Sequence, residues 1–172
     1  MDDMSLVFGG IQTVAIVGGI ILALVELRQM REQRRIELDT RQAQLFMQIY
    51  NPFTTKEFQR GHFMARRMQW DSYDDYRRKY VDPDSGRNHE AYLSAAADSN
   101  YFEGLGVLVN RGLLDIGFIE ELMGSHITTL WEQFESLMME RRRRGSPRHF
   151  ESFEYLYREV KKYQAKLDLQ KT

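Results

Sequence analysis

The histidines, which often act as metal ligands and as acid–base groups near neutral pH, are scattered along this 172-residue chain. They are His62, His89, His126 and His149. They form no His-Glu-x-x-His motif and no other compact ligand spacing. The chain has no cysteine, which excludes thiol catalysis, disulfides and cysteine-ligated metal sites. We therefore predict no bound metal and no cofactor.

The carboxylates offer one candidate for chemistry. Glu103 is the only acid in the apolar and small-residue stretch 101–109, YFEGLGVLV. Because buried acids pair or shift their pKa, we interpret Glu103 first as a structural residue paired with Arg111 or another arginine. The alternative is a carboxylate pair with Glu120 or Glu121, which would make the chain an enzyme with a distributed carboxylate site. Nothing singles out that pair among the 25 acids, and we predict that the chain is not an enzyme.

The strongest charge cluster consists of Arg141, Arg142, Arg143, Arg144 and Arg148. Consecutive helical residues point about 100° apart, so these side chains do not form one face that fits a groove. We interpret them first as favourable charge at a helix C-terminus and as a solvated turn. The alternatives are contact with an anionic lipid surface or with RNA or DNA. A net charge of −1 gives no general support for a nucleic-acid partner, which we do not expect.

The elements that position these residues are predicted to be helices, because no alternating β-branched run indicates a strand. We therefore predict an all-α fold. The first helix is predicted to stop at Asn51-Pro52, and a capping box at 54–57 is predicted to open a second helix that runs to residue 69. A short helix is predicted over 71–80, followed by a loop at 82–86. The next helix is predicted over 88–111, where Gly112 stops it. The apolar stripe predicted for the last of these helices is Leu93, Ala97, Tyr101, Leu105 and Leu108.

Further along, Asp115 is predicted to cap a short helix that Gly124 ends, and Ser125 to cap the next helix. Gly145-Ser146-Pro147 reads as a stop followed by a cap and a first-turn proline. The inward residues of the last helix are predicted to be Phe150, Phe153, Leu156, Tyr157 and Val160.

The N-terminal segment 6–25 has a different composition from the rest. Its 20 residues include 14 apolar ones, four glycines and no charge. As a helix it would span about 30 Å, the thickness of a bilayer's hydrocarbon core. We predict a transmembrane anchor, and the alternatives are a buried core helix and a cleaved signal peptide. Small residues at Ala15, Gly19 and Ala23 share one face and would allow helix–helix packing in the membrane.

The charges that flank this segment predict its orientation. Asp2 and Asp3 precede it, whereas Arg28, Arg31, Arg34 and Arg35 follow it. Since basic residues stay on the cytoplasmic side, we expect the N-terminus outside the inner (plasma) membrane and the rest of the chain in the cytoplasm. The predicted organisation is an anchor over 1–27, a basic helical stem over 28–52 and a helical bundle over 53–172.

Three patches together suggest a family. They are residues 101–109 with Gly112-Leu113-Leu114-Asp115, then Trp131, and then Arg144 with Pro147 and residues 150–156, FESFEYL. With a membrane helix and a basic stem before them, they resemble the prokaryotic domain-of-unknown-function 4760 family. The resemblance implies a membrane-tethered helical domain and carries over no catalytic residue or ligand. Our leading hypothesis is a single-pass membrane protein whose bundle is a scaffold or regulatory module that binds another protein or a second copy of itself.

Overall fold

The computed structural model describes the backbone of residues 2–170 and the side chains of residues 18–170. Residues 2–170 form helices and turns without a strand, which confirms the all-α prediction. The elements in chain order are α1 (Asp2–Phe53), α2 (Lys56–Arg66), α3 (Tyr73–Tyr76), a π-helical turn (Arg77–Val81), a 3-10 turn (Pro83–Ser85), α4 (Arg87–Asn110), α5 (Ile116–Arg143) and α6 (Glu151–Gln170).

The chain divides into two compact units, Met1–Gln44 and Leu45–Thr172. Residues 45–52, which the sequence analysis assigns to the stem, therefore lie in the second unit. There Phe46 is buried, and Ile49 and Tyr50 pack against the apolar core. The side chains of residues 19–41 in the first unit are exposed.

The predicted anchor is only partly within the described side chains. Among residues 18–170, no helix has a stretch long and apolar enough to cross a membrane. Residues 6–17 of the anchor, and Ala15 with them, lie outside that range. Of the small residues predicted to pack in a membrane, Gly19 has no neighbouring atom within 4 Å of its Cβ position, and Ala23 is exposed. Transmembrane insertion stays a prediction.

The core of the second unit lies between α4, α5 and α6, with α2 against α4. Helix α5 supplies its centre, because Ile119, Met123, Ile127 and Leu130 recur at helical spacing and none of them is exposed. Burying one such side chain contributes about 1.5–3 kcal/mol. The fully buried side chains of α4 and α6 that pack with them are Phe102, Leu105, Phe153, Leu156 and Val160.

The predicted break at Gly124 and Ser125 is wrong, because α5 runs through both residues. Asp115 does cap this helix, with its carboxylate accepting the Gly117 N–H at 2.7 Å. A single internal glycine costs a helix only about 1 kcal/mol. The buried stripe from Ile119 to Leu130 outweighs that cost. Gly124 is itself buried, with its Cβ position 3.4 Å from Gln164 of α6.

Two other helix starts differ from the prediction. The cap of α2 is Thr55, whose hydroxyl accepts the Phe58 N–H, so the capping pattern is shifted by one residue. Helix α6 begins at Glu151, and Pro147 lies in the preceding turn instead of the first helical turn. The stop at Gly145 is confirmed, with φ +124.

The predicted stripe of α4 is also displaced. Leu93 is 54 % exposed, whereas the buried face holds Ala95, Phe102, Leu105 and Val109. Helix α4 packs against both α2 and α6 and is buried on more than one side, so a single apolar stripe does not describe it.

Candidate functional site

The candidate site is a partly enclosed cavity of about 470 Å³ in the second unit. Its walls come from α3 and the π-helical turn, from the middle of α4, from the C-terminal half of α5 and from the turn before α6. The charged side chains that line it, among the residues that the structure describes, are Arg77 and Arg141. We call it the arginine cavity.

The two guanidinium groups of the arginine cavity are exposed and unpaired. Neither Arg77 nor Arg141 makes a side-chain hydrogen bond or an ion pair within the described part of the chain. No carboxylate is among the described lining residues. Since guanidinium groups carry their charge at all physiological pH values, the described lining of the cavity carries a net positive charge.

The remaining walls are aromatic and uncharged. Tyr73, Tyr76 and Tyr92 are among the lining residues, and burial raises the pKa of the Tyr76 phenol, so it stays protonated at neutral pH. His149 also lines the cavity, and burial together with the positive charges of Arg141 and Arg142 lowers its pKa below the usual 6.5. Its ring is therefore neutral at pH 7. The cavity can bind through charge, hydrogen bonds and aromatic contact.

The structure separates the five arginines that the sequence groups together. Arg143 pairs with Glu140 and Arg148 pairs with Glu151; both arginines are exposed, and each pairs with a carboxylate three residues away. Arg144 pairs with Glu140 at 2.7 Å, and its guanidinium carbon lies 4.4 Å from the ring centre of Tyr73. Arg141 alone of the five lines the arginine cavity. Binding of an anionic surface or a nucleic acid by this cluster stays a prediction.

Arg142 holds the turn that leads into α6. Its guanidinium donates to the carbonyl oxygens of His149 and Phe150, at 2.8 and 3.0 Å, and pairs with Glu154 at 2.5 Å. The side chains of Arg142 and Glu154 are 17 % and 14 % exposed. These contacts stabilise a turn in which Phe150 has φ 52, a conformation that non-glycine residues rarely adopt.

Glu103 is a structural residue with a different partner from the one predicted. Its carboxylate accepts the backbone N–H groups of Ser152 and Phe153, at 3.3 and 2.7 Å, in the first turn of α6. It thus caps α6 from another helix and lies at the positive end of the helix dipole. No contact with Arg111 or pairing with Glu120 or Glu121 is found among the described residues.

Gly106 brings α4 close to the same turn. A Cβ at Gly106 would lie 2.0 Å from the carbonyl oxygen of Ser152, whereas one at Gly104 would meet nothing within 4 Å. Of these two glycines, only Gly106 is needed for close helix packing. We call the contact of Glu103, Gly106 and Arg142 with residues 149–154 the α6 junction.

A second polar cluster is buried between α2 and α4. His62 and Asp98 are 3 % and 2 % exposed, and Nδ1 of His62 lies 2.9 Å from Oδ2 of Asp98. Burial raises the pKa of Asp98, and the hydrogen bond with His62 acts against that rise. The His126 ring centre lies 4.9 Å from that of His62, and burial followed by the charges of His62 and Arg66 lowers the pKa of His126. Sequence reasoning missed this pair, because 36 residues separate its members.

The histidine and carboxylate side chains do not gather into a metal site in the described part of the chain. No group of three or more of them is close enough to hold a metal ion there. In residues 18–170, Nε2 of His62 and Nε1 of Trp131 are buried without a hydrogen-bond partner.

This architecture defines an all-α protein with a long N-terminal helix, a helical bundle and a cavity lined by two arginines. The family model described as a domain of unknown function, number 4760, matches residues 13–160, and the chain belongs to that family. No curated protein and no solved structure matches the chain. Family membership assigns no activity to the chain.

Proposed function

We propose that this protein is a membrane-tethered binding module without catalytic activity. In this proposal the segment 6–25 anchors the chain, and the bundle binds an anionic group of a ligand or partner protein. The observation that carries the proposal is the arginine cavity, where Arg77 and Arg141 are unpaired among the described residues and no described carboxylate lines the wall.

Electrostatics favours binding over a purely structural role for these two arginines. A positive group in a concave, partly apolar site attracts anions more strongly than the same group on a flat surface, because low-dielectric walls screen it less. A structural arginine in this bundle looks different, since Arg142 satisfies its donors with a carboxylate and two carbonyl groups. Arg77 and Arg141 have no such acceptors within the described residues.

The composition around the N-terminal segment supports the tether. An uncharged stretch of 20 residues is followed by Arg28, Arg31, Arg34 and Arg35 and preceded by two acids. The backbone is helical from Asp2 to Phe53, so the segment is joined to the bundle by continuous helix. We propose the cytoplasmic side of the inner membrane for the bundle.

Membrane fractionation tests the tether. The full chain carrying a C-terminal tag should stay in membranes after a high-pH wash, and the tag should resist protease added outside intact spheroplasts. Replacing Ile16 and Ile20 with lysine should release the protein, since one lysine at a bilayer's centre costs about 2.5–3.5 kcal/mol. The control is Ile36→Lys, an apolar position outside the segment that is as exposed as Ile20. Wild-type protein in the washed supernatant would contradict the tether.

Binding of an acidic peptide tests the rest of the proposal. Hexaglutamate should bind the full chain in detergent at low salt and lose affinity when Arg77 and Arg141 are both replaced by methionine. Equal binding by the wild type and the double variant would contradict a role for the arginine cavity.

A further inference from the structure

We infer that the arginine cavity binds a phosphate monoester attached to a flat ring, of which a nucleoside monophosphate is an example. This inference rests on the proposed binding function and names the class of ligand. It follows from the charge, the wall chemistry and the size of the cavity.

The charge of the cavity matches a single phosphate group. Arg77 comes from the π-helical turn and Arg141 from the last turn of α5, so two separate elements each place one guanidinium at the cavity. A phosphate monoester carries up to two negative charges at neutral pH and offers three acceptor oxygens. Arginine binds such oxygens through two parallel N–H donors, which makes it the favoured residue for phosphate recognition.

The walls match the ring that the phosphate would carry. Tyr76, Tyr92 and Phe150 offer aromatic surfaces, and a flat ring gains from offset or edge-to-face contact with them. Asn100 is exposed at the lining and has both a donor and an acceptor on its amide. A bare phosphate ion would leave these surfaces unused, and an uncharged ring would leave the arginines unpaired.

The size of the cavity favours a compact molecule over a polymer. About 470 Å³ lies in the range typical of small-molecule sites, roughly 300–1,000 Å³. The lining comes from four parts of the second unit and includes the buried residues Ala95, Phe134 and Met138. A small ligand can contact these buried residues, whereas a nucleic-acid backbone would contact only the exposed arginine groups.

Titration calorimetry of the full chain in detergent tests the inference with AMP, adenosine and inorganic phosphate as probes. AMP should bind at least about tenfold more tightly than either of the others, because only AMP has both parts. Arg77→Met and Arg141→Met should each weaken AMP binding by about 10- to 100-fold, as expected for a lost charge-assisted hydrogen bond. The control is Arg148→Met, which removes an exposed arginine that pairs with Glu151 and does not line the cavity. The AMP affinity of this variant should match that of the wild type.

Three results would overturn the inference. Adenosine binding as tightly as AMP would show that the phosphate is not recognised, and equal AMP affinity in wild type and Arg141→Met would place the phosphate elsewhere. Absence of AMP binding at millimolar concentration would also reject it. Hexaglutamate separates this failure from that of the proposed function: if it still binds in an Arg141-dependent way, only the ligand class is wrong.

Discussion

The α6 junction and the arginine cavity lie side by side and use neighbouring arginines of α5 in opposite ways. At the junction, Arg142 satisfies two carbonyl oxygens and Glu154. In the cavity, Arg141 faces aromatic walls and has no acceptor among the described residues. An arginine whose donors are bonded to acceptors within the protein stabilises the fold. An arginine that leaves its donors without partners at a concave surface is, in our proposal, available to a ligand. We therefore expect substitutions at the α6 junction to lower stability, and substitutions in the arginine cavity to lower ligand binding.

The largest expected effect is that of Gly106→Ala at the α6 junction. The new Cβ would lie 2.0 Å from a backbone oxygen of Ser152, which cannot move without displacing α6. We expect a loss of about 3 kcal/mol in the free energy of unfolding, the upper part of the usual range for overpacking. The matched change Gly104→Ala is open on all sides and should stabilise α4 by roughly 0.5–1 kcal/mol. Urea unfolding measures both, and similar losses in the two variants would contradict the close contact.

The second effect contrasts the neighbouring arginines directly. Arg142→Met should lower the free energy of unfolding by about 2–3 kcal/mol, because two carbonyl groups and the mostly buried Glu154 lose a charged donor. Arg141→Met should change it by less than about 0.5 kcal/mol, as at ordinary surface sites. Thermal unfolding of the two variants side by side checks this. If Arg141→Met were the more destabilised, the division between fold and ligand would be wrong.

The third effect is that of Glu103→Ala, which removes the cap of α6. We expect a loss of about 1–2 kcal/mol, as for a helix cap. Glu103→Gln should cost less, because its amide oxygen still accepts one of the two N–H bonds. The control is Glu121→Ala on the exposed face of α5, with an expected change below about 0.5 kcal/mol. Hydrogen exchange at Ser152 and Phe153 should rise in Glu103→Ala, and unchanged exchange would argue against capping.

The smallest effect concerns pH. The pKa of His149 is lowered in the folded protein, so the unfolded chain takes up a proton first as the pH falls below 6.5. The contribution of neutral His149 to the free energy of unfolding is complete above pH 6.5. It is lost as the pH falls towards the pKa that His149 has in the folded protein. The lowered pKa of His126 changes stability with pH in the same direction, whereas the raised pKa of Asp98 changes it in the opposite direction. The informative quantity is therefore the difference in stability between wild type and His149→Gln at each pH. The variant should lose less stability between pH 7.5 and 5.5, and parallel curves would contradict the shift.

Local signals in the sequence predicted much of the fold. Asp115 caps α5, Gly112 follows α4 with φ 68, and Gly145 ends α5, because each of these residues acts on its own neighbouring backbone. Gly124 shows the limit of such signals. Its local tendency to end a helix is outweighed by tertiary burial, which periodicity in one segment does not reveal.

The site was less predictable, because its geometry depends on contacts between distant residues. The sequence marked Glu103 as unusual, but its partners are backbone groups 49 and 50 residues away. It marked five arginines as one cluster, yet only the fold decides which of them meet a carboxylate. Tyr76 and Tyr92 gave no signal for a cavity, since aromatic residues at helical spacing look like core.

The most direct test of the account is one thermal-unfolding experiment on wild type and Arg141→Met, each with and without saturating AMP. We predict equal midpoints for the two proteins without AMP, a higher midpoint for wild type with AMP, and a clearly smaller shift for the variant. Equal shifts in both proteins, or a lower midpoint for the variant without AMP, would contradict it, because Arg141 would then be either irrelevant to binding or part of the fold.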